Sequence, residues 1–162
     1  MMNPRSVATA VLLSLAAVVP TTLFAKEPAV TAHFATGPFD VKLAPQTLSP
    51  VAENSGLGRM SLDKQYHGAL EAASTGEMIA FRGAVAGSAG YVAMETVRGT
   101  LDGRAGSFVL QHSSTLTRGE PTQSITVVPD SGTDALAGLA GRMMVDIAPG
   151  GAHSYRFEYT LP

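Results

Sequence analysis

Tyr91-Val-Ala-Met-Glu-Thr-Val-Arg-Gly-Thr-Leu-Asp-Gly-Arg-Ala-Gly-Ser-Phe-Val-Leu-Gln-His-Ser-Ser-Thr-Leu116 decides the fold. Two alternating runs rich in β-branched and aromatic residues flank Asp102-Gly103, and a second glycine follows at Gly106. An Asp-Gly pair between such runs predicts a β-hairpin, because the tight primed turns need positive φ where these residues tolerate it. The hairpin sets the two most suggestive polar residues, Glu95 and His112, on neighbouring strands. If paired residue numbers sum to an odd total, Glu95 lies opposite His112 or diagonal to it. Tyr91, Ala93 and Val97 then share its face, with Phe108 and Leu110 across from them.

Working outward, the rest of the chain shows the same two-residue period and almost no helical one. Phe39 to Leu43 alternates until Pro45, Leu57 to Tyr66 alternates less well, and Leu70 to Phe81 carries Gly76 where a bend or bulge is expected. Gln123 to Val128 is stopped by Pro129, and Gly141 to Ile147 and His153 to Leu161 are joined through Pro149-Gly150-Gly151. In the last run Tyr155, Phe157, Tyr159 and Leu161 fall on one face and Ser154, Arg156, Glu158 and Thr160 on the other, which predicts one dry and one wet side. Seven or eight such strands with frequent turns predict an all-β sandwich or barrel, and 17 glycines favour a small antiparallel barrel with strongly coiled strands. Ala44 to Ser55 reads as a loop and Thr133 to Ala137 as a single helical turn.

Residues 1–25 read as a cleaved signal peptide: Arg5 is the positive region, Val7 to Val19 the apolar one, and Ala25 a small residue suited to cleavage. The apolar stretch is too short to span a membrane. A single domain over 26–162 is then expected, exported to the periplasm or secreted. The chain has no cysteine, so neither a disulfide framework nor a lipidated cysteine is available. A net charge of −2 without any basic cluster argues against nucleic acid as a partner.

The residues Gly99 to His112 resemble the signature of a bacterial domain-of-unknown-function family, numbered 3224. Val127-Val-Pro-Asp-Ser-Gly-Thr133 with Leu136, Gly138, Leu139 and Gly141, Gly58 to Lys64, and Phe157-Glu-Tyr159 carry the resemblance over most of the chain. It implies a barrel of about eight strands similar to allene oxide cyclase and dirigent-type barrels, and it implies no established activity.

Among residues that bear chemistry, Glu95 and His112 come first. In an apolar lumen they would perturb each other and could serve as general acid and base; buried, they could equally be a mutually satisfied pair, and on the outer wall they would simply be solvated. His33, His67, His112 and His153 are scattered with no metal-ligand spacing, so no metal is expected, and no motif calls for a cofactor. Arg59, Asp63 and Lys64 could anchor an anionic ligand at the barrel mouth but read first as alternating charge on a wet face. Glu71 and Glu77 could pair if both point inward but read first as surface carboxylates. There is no nucleophile elbow, phosphate loop or dinucleotide fingerprint. Three functions follow. A barrel of this size can hold one small apolar ligand, lined by Tyr91, Phe108, Leu110, Tyr155, Phe157 and Tyr159. A cofactor-free isomerase or cyclase would use Glu95 and His112. Outward apolar residues such as Val109 and Met94 could instead form the seam of a homo-oligomer.

Overall fold

The computed structural model describes residues 31–162, and the expected signal peptide lies outside them. Eight antiparallel strands close into a barrel in simple sequence order: β1 (His33–Gln46), β2 (Leu57–Tyr66), β3 (Leu70–Arg82), β4 (Ala89–Leu101), β5 (Arg104–Thr117), β6 (Glu120–Val127), β7 (Ala140–Ile147) and β8 (His153–Thr160). Pairing of β1 with β8, from His33↔Tyr159 to Phe39↔His153, completes the circle. The expected all-β barrel is thus the observed one.

The decisive hairpin turns at Asp102 and Gly103, whose φ values of 47° and 77° are the two positive angles a type I′ turn needs. Its ladder pairs Leu101 with Arg104 and Val97 with Phe108, so the odd-sum register holds. The Tyr159 hydroxyl donates to Asp102 Oδ2 at 2.5 Å and ties the turn to β8. β1 is longer than the alternation of Phe39 to Leu43 suggested, running on through Pro45, which pairs with Met60. That is tolerated because β1 pairs only with β2 beyond Phe39, so the missing proline N–H faces no partner strand.

One end of the barrel is sealed. After β6 the chain recrosses the base through a single 3-10 turn at Asp134–Leu136 and buries Leu136 and Leu139 beside Leu70, Leu101 and Leu161. Thr133 fastens this plug, its N–H donating to the Ser107 carbonyl at 2.9 Å. Gly106 is the residue that lets the plug seat, since a Cβ there would lie 2.4 Å from the Thr133 carbonyl oxygen. Above the plug, Phe108, Phe157 and Tyr159 stack in succession, and Tyr66 meets Tyr155 edge-on.

The seam between β6 and β7 is the weakest ladder, with only Ile125↔Met143 and Thr126↔Arg142 in register. Towards the other end of the barrel Gln123 takes over, its side-chain Oε1 accepting the Val145 N–H at 2.8 Å. Among the described residues no helix is long and apolar enough to cross a membrane.

Candidate functional site

Four consecutive strands deliver inward polar side chains to the middle of the barrel. On β2 the period of two puts Leu62, Lys64 and Tyr66 on the dry face, and on β3 it does the same for Leu70, Ala72 and Ser74. Glu95 on β4 and His112 on β5 complete the set. Glu95 stands opposite Leu110 and diagonal to His112. Across the other neighbour it faces Gly76, where an added Cβ would lie 2.7 Å from the Glu95 Cβ and 2.2 Å from the Met94 carbonyl oxygen. Gly76 is therefore the space that lets β3 approach β4 where the carboxylate turns inward.

Glu95 is 1% exposed and every part of its carboxylate is occupied. Oε1 accepts from the Tyr66 hydroxyl at 2.8 Å, from Lys64 Nζ at 3.0 Å and from His112 Nε2 at 3.0 Å. Oε2 accepts from Ser74 Oγ at 2.9 Å and lies 3.0 Å from Lys64 Nζ. Burial alone would push its pKa up, but the His112 hydrogen bond and the Lys64 ammonium outweigh that and hold it at about 2. Glu95 is thus a permanent carboxylate at neutral pH. Lys64 Nζ also donates to the Tyr66 hydroxyl at 3.2 Å and sits over the rings of Phe39 and Tyr66. Burial and the adjacent carboxylate push the Tyr66 hydroxyl well above the usual phenol range.

This cluster forms the floor of a cavity of about 190 Å³ at the unplugged end. The wall is mostly apolar, from Phe39, Val41, Leu62, Ala93, Ile125 and Val145, with Leu43 and Ile147 at the rim. Lys64 and His112 reach it from below, and Tyr91, Gln123 and His153 from the sides. A wider indentation of about 610 Å³ runs along the outer wall and rim by Leu57, Ile79, Phe81 and Val92. It is shallow and, apart from Tyr91, holds no titratable group.

Glu95 and His112 share one face, as the odd-sum register implied, and that face is the inner one, where they are in direct hydrogen-bond contact. Of the six residues expected to line a ligand, Tyr91 borders the cavity. Phe108, Leu110, Tyr155, Phe157 and Tyr159 also face the lumen, but they pack on one another and on the plug below the polar floor. Lys64 overturns the wet-face reading of its strand: it is 7% exposed and inward, whereas Arg59 and Asp63 point out. Arg59 pairs with the exposed Glu77, and Glu71 is exposed as expected. Met94 stands on the outer wall beside Val92, while Val109 is half-covered by the loop that leads into the plug. The sequence reading set Lys64 on the wrong face and missed Tyr66 and Ser74. Their signal was parity, since each shares a face with apolar neighbours two residues away. Among the described residues no three histidine or acidic side chains converge on a metal geometry.

The family model described as "Protein of unknown function (DUF3224)" matches residues 35–159. The chain is also similar to a solved protein of unknown function from the DUF3224 family of Shewanella oneidensis MR-1. The two are 47% identical, the match covers 82% of this chain and 100% of that one, and the TM-score is 0.74. No curated protein matches.

Proposed function

The chain belongs to the DUF3224 family of proteins of unknown function, and from its geometry we propose that the barrel binds one small, largely apolar molecule in its open end. One observation carries the reading: an apolar cavity of about 190 Å³ ends on a buried polar floor instead of being filled by side chains. An engineered apolar cavity of about 150 Å³ is enough to take up benzene, so a ring-sized body fits here with the remainder emerging at the rim. Saturation-transfer NMR with benzene tests this. Binding is expected in the wild-type protein and lost in Ala93→Phe, which fills the cavity wall. Binding that persists unchanged in that variant, or no binding at all, removes the proposal.

A cofactor-free isomerase is the second reading, favoured by the carboxylate–imidazole contact beneath the cavity. In it Glu95, already ionised and saturated with donors, only orients the ring, and His112 is the group that moves a proton. Wash-in of deuterium beside the carbonyl of cyclohexanone, present in the wild type and absent in His112→Phe, is its signature. A homo-oligomer seam on the outer wall, where Val92 and Met94 are about half exposed, is compatible with both; sedimentation velocity decides it, a strict monomer ruling it out. The proposal also includes export, with residues 1–25 removed. N-terminal sequencing of the mature protein is then expected to begin at Lys26.

A further inference from the structure

Proton bookkeeping at the cavity floor narrows the ligand further. Glu95 accepts at both oxygens and has no proton to give, so His112 Nε2 must be the donor in their 3.0 Å contact. In the neutral ring the lone pair then sits on Nδ1. Nδ1 has no hydrogen-bond partner among the described residues, nor does the Tyr91 hydroxyl. Since no enclosed side-chain polar atom is left unpaired, both atoms are open to their surroundings, and both residues line the cavity. Tyr91 stands opposite Ser114, two residues along β5 from His112, so the two side chains are diagonal neighbours on one inner face. Burial and the nearby Glu95 push the Tyr91 hydroxyl up, which keeps its proton on at neutral pH.

Several neighbouring polar atoms are already committed. The three Lys64 protons face the two Glu95 oxygens and the Tyr66 hydroxyl, and Gln123 Oε1 holds the Val145 N–H. The Gln123 amide N–H groups and the His153 ring also line the cavity without a hydrogen-bond partner among the described residues, but the pair adjacent on one inner face is one acceptor, His112 Nδ1, and one donor, the Tyr91 hydroxyl. A hydroxyl satisfies both at once, donating to Nδ1 and accepting from Tyr91. A ketone or ether can only accept and leaves the Nδ1 lone pair bare. A carboxylate opposes that lone pair and brings an uncompensated charge into an apolar cup.

Building on the proposed binding role, we infer that the cavity selects an uncharged, ring-sized hydroxyl compound of the phenol or cyclic-alcohol type, with Tyr91 and His112 as the specificity-determining pair. Four probes of similar size test it on the full-length protein: 4-methylphenol, 4-methylanisole, toluene and 4-methylbenzoate, with affinities from ligand-observed NMR at neutral pH. The phenol is expected to bind at least about tenfold more tightly than the other three, a difference on the scale of one buried hydrogen-bonded group. Tyr91→Phe and His112→Phe are each expected to lower the phenol to the level of toluene while leaving toluene unchanged. Because Tyr91 lies outside the Glu95 network, its variant keeps the test valid if His112→Phe fails to fold. Equal affinities for the phenol and the anisole, or tightest binding by the benzoate, overturn this inference and leave the binding role standing. Failure of all four to bind overturns both.

Discussion

The two ends of this barrel are made from the same alternating strands and finish as opposites. At the base, inward side chains meet a plug: Leu101 is 0% exposed, Leu70 and Leu136 1% each. At the mouth, Leu43 and Ile147 also stand on the inward face of their strands, yet they are 48% and 65% exposed. The difference is a matter of connections. At the base the chain between β6 and β7 recrosses the lumen, whereas no turn at the mouth folds inward, and the β6–β7 ladder lapses there to a single glutamine bridge. Packing energy is thereby concentrated below the polar floor and open space above it, so the element that stabilises the fold and the one that meets a ligand can change independently.

The floor itself joins the two regions, and breaking it has the largest expected effect. Glu95→Leu leaves the Lys64 ammonium buried without its counter-charge and should cost about 3–5 kcal/mol in urea denaturation. Adding Lys64→Met removes the stranded charge and should restore part of that loss. The recovery stays partial, because Tyr66, Ser74 and His112 still lack the acceptor they now share. Next comes the plug: Leu136→Ala opens a cavity among Leu139, Leu161 and Phe108 and should cost about 2–5 kcal/mol, with benzene affinity at the mouth unchanged.

Acid challenges the floor without a mutation. The Glu95 pKa is depressed from 4.5 to about 2, so the folded state favours the ionised form more than the unfolded chain does. Its stabilising contribution is complete above about pH 4.5 and fades as pH falls through about 2, a loss on the order of 3 kcal/mol. Denaturation midpoints followed between pH 6 and pH 2 should fall over that window in the wild type. In the Glu95→Leu, Lys64→Met protein that component of the fall should be missing.

How much of this was legible in the sequence follows from what period two encodes. Asp102-Gly103 located a turn, the turn set the register, and the register put Glu95 and His112 on one face, though not which side of the wall that face was. Alternation also marked the dry side of β8, since Tyr155, Phe157 and Tyr159 are all buried. Lys64 was hidden by composition: between Asp63 and Gln65 a lysine looks solvated, although it shares parity with Leu62 and Tyr66. Parity gives the face and says nothing of height along the barrel axis. Height depends on the stagger between strands, which is why five lumenal residues expected around a ligand lie beneath the floor, packed against the plug. The plug was visible only as one helical turn, and nothing local showed that it would fold across the lumen.

The smallest stability effect should come from the rim, and it sharpens the contrast most. Ile147 is inward by parity but mostly in water, so Ile147→Ala removes little buried area and should change stability by no more than about 0.5 kcal/mol. The same truncation takes apolar wall from any ring seated above His112, so benzene affinity should drop severalfold while the denaturation midpoint stays put. Leu136→Ala should give the reverse pattern, with stability lost and affinity kept. If Ile147→Ala lowers both together, the mouth is part of the cooperative core, and the division of labour between the two ends does not exist.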